Sequence, residues 1–112
     1  MTNKAKIYYE KELAGYLLKT DRGYTFIYDE EYLAGEKPRP VSLTLPLSPY
    51  PQYSNTLFAF FDGLIPEGWL LNLAKDYYRI RTTDRFELLI TLCRDTIGAV
   101  TVIPVEEEIE NG

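Results

Sequence analysis

The chain predicts an α+β domain, a small and mostly antiparallel sheet covered by about three helices. Three observations carry that expectation. Residues up to Tyr28 alternate with period two and are punctuated by short turns. Residues 54 to 93 carry apolar side chains at helical spacing, and Ala99-Val100-Thr101-Val102-Ile103 returns to a β-branched run. Strands, then helices, then a strand suits a sheet whose helices lie on one side. With no internal repeat, low-complexity tract or interior linker, the expectation is one domain over residues 1–105 followed by an acidic tail over 106–112.

In order, Lys6-Ile7-Tyr8-Tyr9-Glu10 and Leu13 to Thr20 read as strands joined by a short charged turn. Gly23 supplies the positive φ that the next tight hairpin needs, and Tyr24, Phe26 and Tyr28 share one face of a third strand. Asp29 to Gly35 reads as a single helical turn with acidic residues at its start and Gly at its end. Val41-Ser42-Leu43-Thr44-Leu45, bounded by Pro40 and Pro46, alternates like a strand with Val41, Leu43 and Leu45 inward, and Pro46 to Tyr53 reads as a stiff loop. A helix capped by Ser54 or Asn55 presents Leu57, Phe58, Phe60, Phe61, Leu64 and Ile65. A second helix has Pro66 in its first turn and a stripe of Leu70, Leu73, Ala74 and Tyr77, with Trp69 at the stripe's edge. Asp84 with Glu87 opens a third helix whose stripe is Phe86, Leu89, Ile90 and Cys93.

Composition removes several function classes. A net charge of −5 without a stripe of Lys and Arg argues against direct nucleic-acid binding. The ten tyrosines place rings on a strand face, but without basic neighbours these are sheet-on-helix core, not a base-stacking platform. No apolar run is long enough to span a bilayer, no signal-peptide core follows the N-terminus, and one Cys cannot form an internal disulfide; the cytoplasm is the expected location.

Catalytic chemistry finds little to work with. The chain has no His, no Gly-rich phosphate loop and no metal-ligand spacing, so no metal and no cofactor are expected, and the chain reads as a non-enzyme. Cys93 lies on an apolar stripe with no His to activate it and reads as a packed thiol. Asp62 and Glu67 flank the corner between two helices and can be imagined as an acid/base pair; they are more simply a helix-end polar group and a first-turn residue favoured by the dipole. Arg94 and Asp95 beside Gly98 read as fixing the turn into the last strand, with a charged contact to a partner as the alternative. Trp69 by itself reads as a helix-edge ring closing the core, or as a binding tip.

Three segments resemble one bacterial family. Arg39-Pro40-Val41-Ser42-Leu43-Thr44-Leu45-Pro46-Leu47, Phe58-Ala59-Phe60-Phe61-Asp62-Gly63-Leu64-Ile65-Pro66-Glu67-Gly68-Trp69, and Phe86-Glu87-Leu88-Leu89 through Arg94-Asp95-Thr96-Ile97-Gly98 to Pro104 look like segments of the N-terminal subdomain of HipA-type toxin kinases. They fall in that subdomain's order and approximate spacing, and weaker similarity of pattern reaches the N-terminus. In that family a kinase core with the ATP site follows; here the sequence ends at Gly112.

The resemblance therefore implies the stand-alone, HipS-like form. That form is an antitoxin acting on a HipT-like Ser/Thr kinase, with a HipB-like DNA-binding protein as a further candidate in a ternary complex. It also implies a contact by which Glu67-Gly68-Trp69 approaches the kinase's nucleotide pocket. Asp62 and Pro66 complete the candidate partner-binding set. The alternative is the N-terminal subdomain of a full-length HipA-like kinase, bracing the kinase core and contacting a HipB-type partner.

Overall fold

Alternating residues at the two ends of the chain build one sheet. In the computed structural model, which describes residues 3–93 and 99–105, the strands are β1 (Lys4–Tyr9), β2 (Glu12–Thr20), β3 (Gly23–Tyr28), β4 (Gln52–Ser54) and β5 (Val100–Pro104). Their order is β4-β3-β2-β1-β5, and every neighbouring pair is antiparallel. The first hairpin turns through Glu10 and Lys11 at φ 51° and 77°, with Tyr9 opposite Glu12. The second uses Gly23 at φ 141°, where a Cβ would run into the Ser54 carbonyl.

Register puts the apolar residues on one side. Ala5, Leu17 and Phe26 lie abreast on neighbouring strands, as do Ile7 and Val102, and all five are fully buried. Against this face pack Phe61, Ile65, Phe86, Leu88, Leu89 and Cys93. The opposite face is partly open to solvent, and there the Lys4 ammonium lies 4.8 Å from the centre of the Tyr16 ring.

Four helices follow: α1 (Glu30–Leu33), α2 (Ala59–Asp62), α3 (Gly68–Tyr78) and α4 (Arg85–Leu92). The expected Asp84 cap of α4 is present, and Asp29 caps α1 as well. Asp29 accepts from the Glu31 and Tyr32 N–H groups, and Asp84 accepts from the Glu87 N–H at 3.0 Å. Asp84 also pairs with Lys19 Nζ at 2.9 Å, which ties α4 to β2. Phe86, Leu88, Leu89 and Ile90 of α4 are all buried, so the stripe is wider than its spacing suggested.

The structure corrects three expectations. Residues 41 to 45 form a tight turn and not a strand: the Leu45 N–H donates to the Ser42 carbonyl at 3.0 Å, Val41 and Leu45 are buried, and Leu43 is 94% exposed at the tip. The apolar run from Leu57 to Ile65 is helical only over α2, whose N-cap is Phe58 with no side-chain cap; Ser54 instead ends β4, a strand where a stiff loop and then a helix cap were expected. Pro66 lies outside α3, before the N-cap Glu67. The expected turn at Arg94, Asp95 and Gly98 and the acidic tail over 106–112 lie outside the described residues.

Candidate partner-binding site

The corner between α2 and α3 is anchored from inside and bare outside. Phe61 and Ile65 are buried in the core, and Phe61 packs at 5.8 Å between ring centroids against Phe26 of β3. Asp62, at the end of α2, accepts from Arg85 Nε at 2.7 Å and fastens the corner to the start of α4. That hydrogen bond first, and then the fields of Asp62 and Glu67, raise the Arg85 guanidinium above its ordinary value. Asp62 is therefore engaged within the fold, and Glu67, exposed and without a side-chain cap bond, presents its carboxylate to solvent.

Backbone geometry then aims the helix. Glu67 is extended, and Gly68 adopts φ 61° with nothing within 4 Å of the place a Cβ would occupy. Glycine serves there through its left-handed conformation and not through tight space. The next residue, Trp69, is 72% exposed.

Beyond Trp69 the helix is turned inside out relative to an ordinary surface helix. No residue of α3 is buried, and Leu70, Leu73 and Tyr77 are each more than half exposed. Leu71, Ala74 and Lys75 form the half-buried side that meets the body, with Leu71 packed against the core. Arg79 at φ 58° ends the helix, its neighbour Ile80 donates to the Lys75 carbonyl at 2.8 Å, and Ile80 rejoins the core.

Glu67, Gly68 and Trp69 are thus contiguous and exposed, Pro66 is half-buried behind them, and Asp62 is paired with Arg85. The sequence pattern marked Leu70, Leu73 and Tyr77 as a stripe without showing that it faces outward. Nothing in the pattern marked Leu43 as a protruding tip.

Burial pushes the Cys93 thiol up to about 11, and its Sγ lies 3.5 Å from the Leu64 carbonyl, so it is a protonated, packed group at neutral pH. Among the described residues no cluster of three His, Cys, Asp or Glu could hold a metal ion, and no helix is long and apolar enough to cross a membrane.

Known proteins resemble this chain over most of its length. A family model described as HipA N-terminal domain matches residues 5–103. An uncharacterized protein of Haemophilus influenzae is 32% identical over 102 residues, which is 91% of this chain and 92% of that one. A Sinorhizobium fredii protein named "Putative kinase Y4dM" is 34% identical over 87 residues, covering 72% of this chain but 21% of that protein. Among solved structures, the N-terminal domain of HipA toxin matches with a TM-score of 0.69 and 26% identity, covering 96% of this chain and 97% of that chain.

Proposed function

The chain belongs to the HipA N-terminal domain family, and from that premise we propose that it is a cytoplasmic antitoxin subunit that binds a HipT-like Ser/Thr kinase and blocks its active site, with a HipB-like DNA-binding protein as third member of the assembly. The observation that supports this reading most is the 72% exposure of Trp69 at a corner braced from within. A partner's pocket would cover such a ring, and Trp is among the residue types most enriched at binding hot spots.

In this reading inhibition is steric, and the chain performs no chemistry. Gly68 supplies the turn that projects the ring, Pro66 stiffens the approach, and Glu67 beside it offers a carboxylate to the partner. Covering the exposed part of a Trp ring of about 150 to 250 Å² gives roughly 3 to 4.5 kcal/mol of gross stabilisation at about 25 cal/mol per Å². Ordering costs of about 1 kcal/mol leave enough for a single dominant contact.

The test is titration of the cognate kinase with wild-type chain and with Trp69→Ala. The variant should keep its melting temperature and lose at least about thirtyfold in inhibition, the equivalent of about 2 kcal/mol. Full inhibition by the variant would remove Trp69 from the mechanism.

The Sinorhizobium relative, in which the matched region is 21% of a protein named as a kinase, favours one second reading: a subdomain bracing a covalently attached kinase core. The reading frames beside the gene separate the two. A distinct kinase frame supports the inhibitor, and an in-frame continuation supports the subdomain.

A further inference from the structure

We propose that the outward face of α3 is a self-association surface on which two copies of this chain pair antiparallel about a two-fold axis at Leu73, so that Trp69 of each copy is covered by Tyr77 of the other. Trp69, Leu73 and Tyr77 are spaced four residues apart, so they rise along one face of the helix with Leu73 about 6 Å from each neighbour. Leu70 widens the ridge, and all four are more than half exposed. The half-buried side, Leu71, Ala74 and Lys75, lies on the far side of the helix and turns the ridge away from the sheet.

This ridge is complementary to itself. Because Trp69 and Tyr77 stand equally far on either side of Leu73, reversing a second copy about Leu73 sets Leu against Leu and an indole against a phenol at each end. Offset aromatic pairs of this kind are favourable beyond the area they cover. None of the four side chains carries a charge, and the exposed Asp76, three residues from Leu73, flanks the ridge without belonging to it.

Area argues for a second copy as the occupant. From their exposed fractions the four side chains present roughly 500 Å² of apolar surface, at the upper end of what a typical monomer leaves uncovered. Pairing two such ridges buries at most about 1,000 Å² in total, below the roughly 1,200 to 2,000 Å² of stable interfaces, which suits a weak and reversible dimer. Isologous two-fold pairing is also the commonest way for one patch to close on itself. The net charge of −5 on each copy opposes the encounter, so added salt should tighten the dimer. The proposal stands without the kinase reading; if both hold, the dimer hides Trp69 and a kinase must compete for the same ridge.

Sedimentation equilibrium of the full chain from micromolar to millimolar concentration tests it. The apparent mass should double with rising concentration, Trp69 emission should shift to the blue in step, and Leu73→Lys should weaken association by at least about tenfold while leaving the melting temperature unchanged. Leu73→Cys adds an exposed thiol to a chain whose native Cys93 is buried. A short bis-maleimide should therefore link Leu73→Cys into covalent dimers far more efficiently than Asp21→Cys in the exposed β2–β3 turn. A chain that stays monomeric at millimolar concentration overturns the proposal and leaves the ridge to a different protein. A dimer that Leu73→Lys does not disturb and that does not cross-link at position 73 overturns it equally.

Discussion

Tyr28 and Tyr32 lie nearly parallel, with ring planes 7° apart and centroids 6.2 Å apart, and their hydroxyls hold the same loop. The Tyr28 hydroxyl donates to the Leu45 carbonyl and accepts from the Val41 N–H at 3.0 Å. The Tyr32 hydroxyl donates to the Arg39 carbonyl at 2.7 Å and accepts from the Arg39 N–H at 3.3 Å. Burial raises both phenols above their ordinary value, so each remains a donor through the neutral range. Two side chains thereby satisfy the backbone at both ends of the turn that carries Leu43.

Tyr28→Phe should destabilise the protein by about 1 to 3 kcal/mol, because it strands a carbonyl and an N–H beside a buried ring. Tyr32→Phe should cost less, since its hydroxyl bonds are only part-buried. Urea midpoints of the two variants measure the difference. Equal midpoints would show that the loop finds other partners.

The Asp84 carboxylate makes stability depend on pH. Burial pushes it up, but the Lys19 ammonium and the Glu87 and Phe86 N–H groups outweigh that and hold it below its ordinary value. Lys19 is raised chiefly by its hydrogen bond to Asp84. A depressed carboxylate contributes stability above its unfolded pKa of about 3.9 and loses it as pH falls through the folded value; a raised ammonium contributes below about 10.4 and loses it as pH rises through its folded value. The pair is therefore at full strength between those limits. Asp84→Asn should keep the cap, cost no more than about 1 kcal/mol and flatten the acid limb, because the pair is about one-third exposed. Asp84→Ala should cost about 1 kcal/mol more through the lost cap. Thermal melts across the acid range compare them.

Leu89→Ala should cost roughly 2 to 5 kcal/mol, since Leu89 is fully buried at the centre of the α4 stripe. A guanidinium midpoint close to wild type would mean that the surrounding rings collapse into the space.

The first hairpin can be improved. Glu10 and Lys11 hold φ 51° and 77° at positions where Asn and Gly are at ease. Replacing them by Asn-Gly relieves left-handed strain of about 1 kcal/mol or more, partly offset by the freedom Gly gives the unfolded chain, and should raise the melting temperature. A fall would show that the Glu10 or Lys11 side chain contributes contacts of its own.

Periodicity revealed most of the sheet and α4, because there the apolar side chains face the core that the chain itself supplies. It failed where another rule fixed the backbone. Val41, Leu43 and Leu45 alternate, but a tight turn also brings two residues four apart to the same side, and the Tyr28 hydroxyl accepts from one end and donates to the other. From Leu57 to Ile65 the i, i+4, i+8 set Leu57, Phe61 and Ile65 is buried although only four residues are helical. On α3 the stripe was legible and its direction was not, since spacing defines a face but not what lies opposite it. Asp62 joined the candidate site through its place beside the corner, while its bond to Arg85 spans 23 residues and leaves no local trace.

The sheet order also bears on how the chain is made. β1 lies between β2 and β5, so among the described strands β1 takes its second neighbour from one made about ninety residues later. A ribosome that has delivered the three-stranded meander but not Val100–Pro104 presents a β1 whose outer N–H and C=O groups have no partner. Lys4 and Lys6 on that strand discourage its pairing with a foreign edge during the interval. A chain stopped before Val100 would keep that edge open for its lifetime and also lack buried Val100 and Val102, so incomplete products of this gene would be marked for aggregation or proteolysis by their own topology.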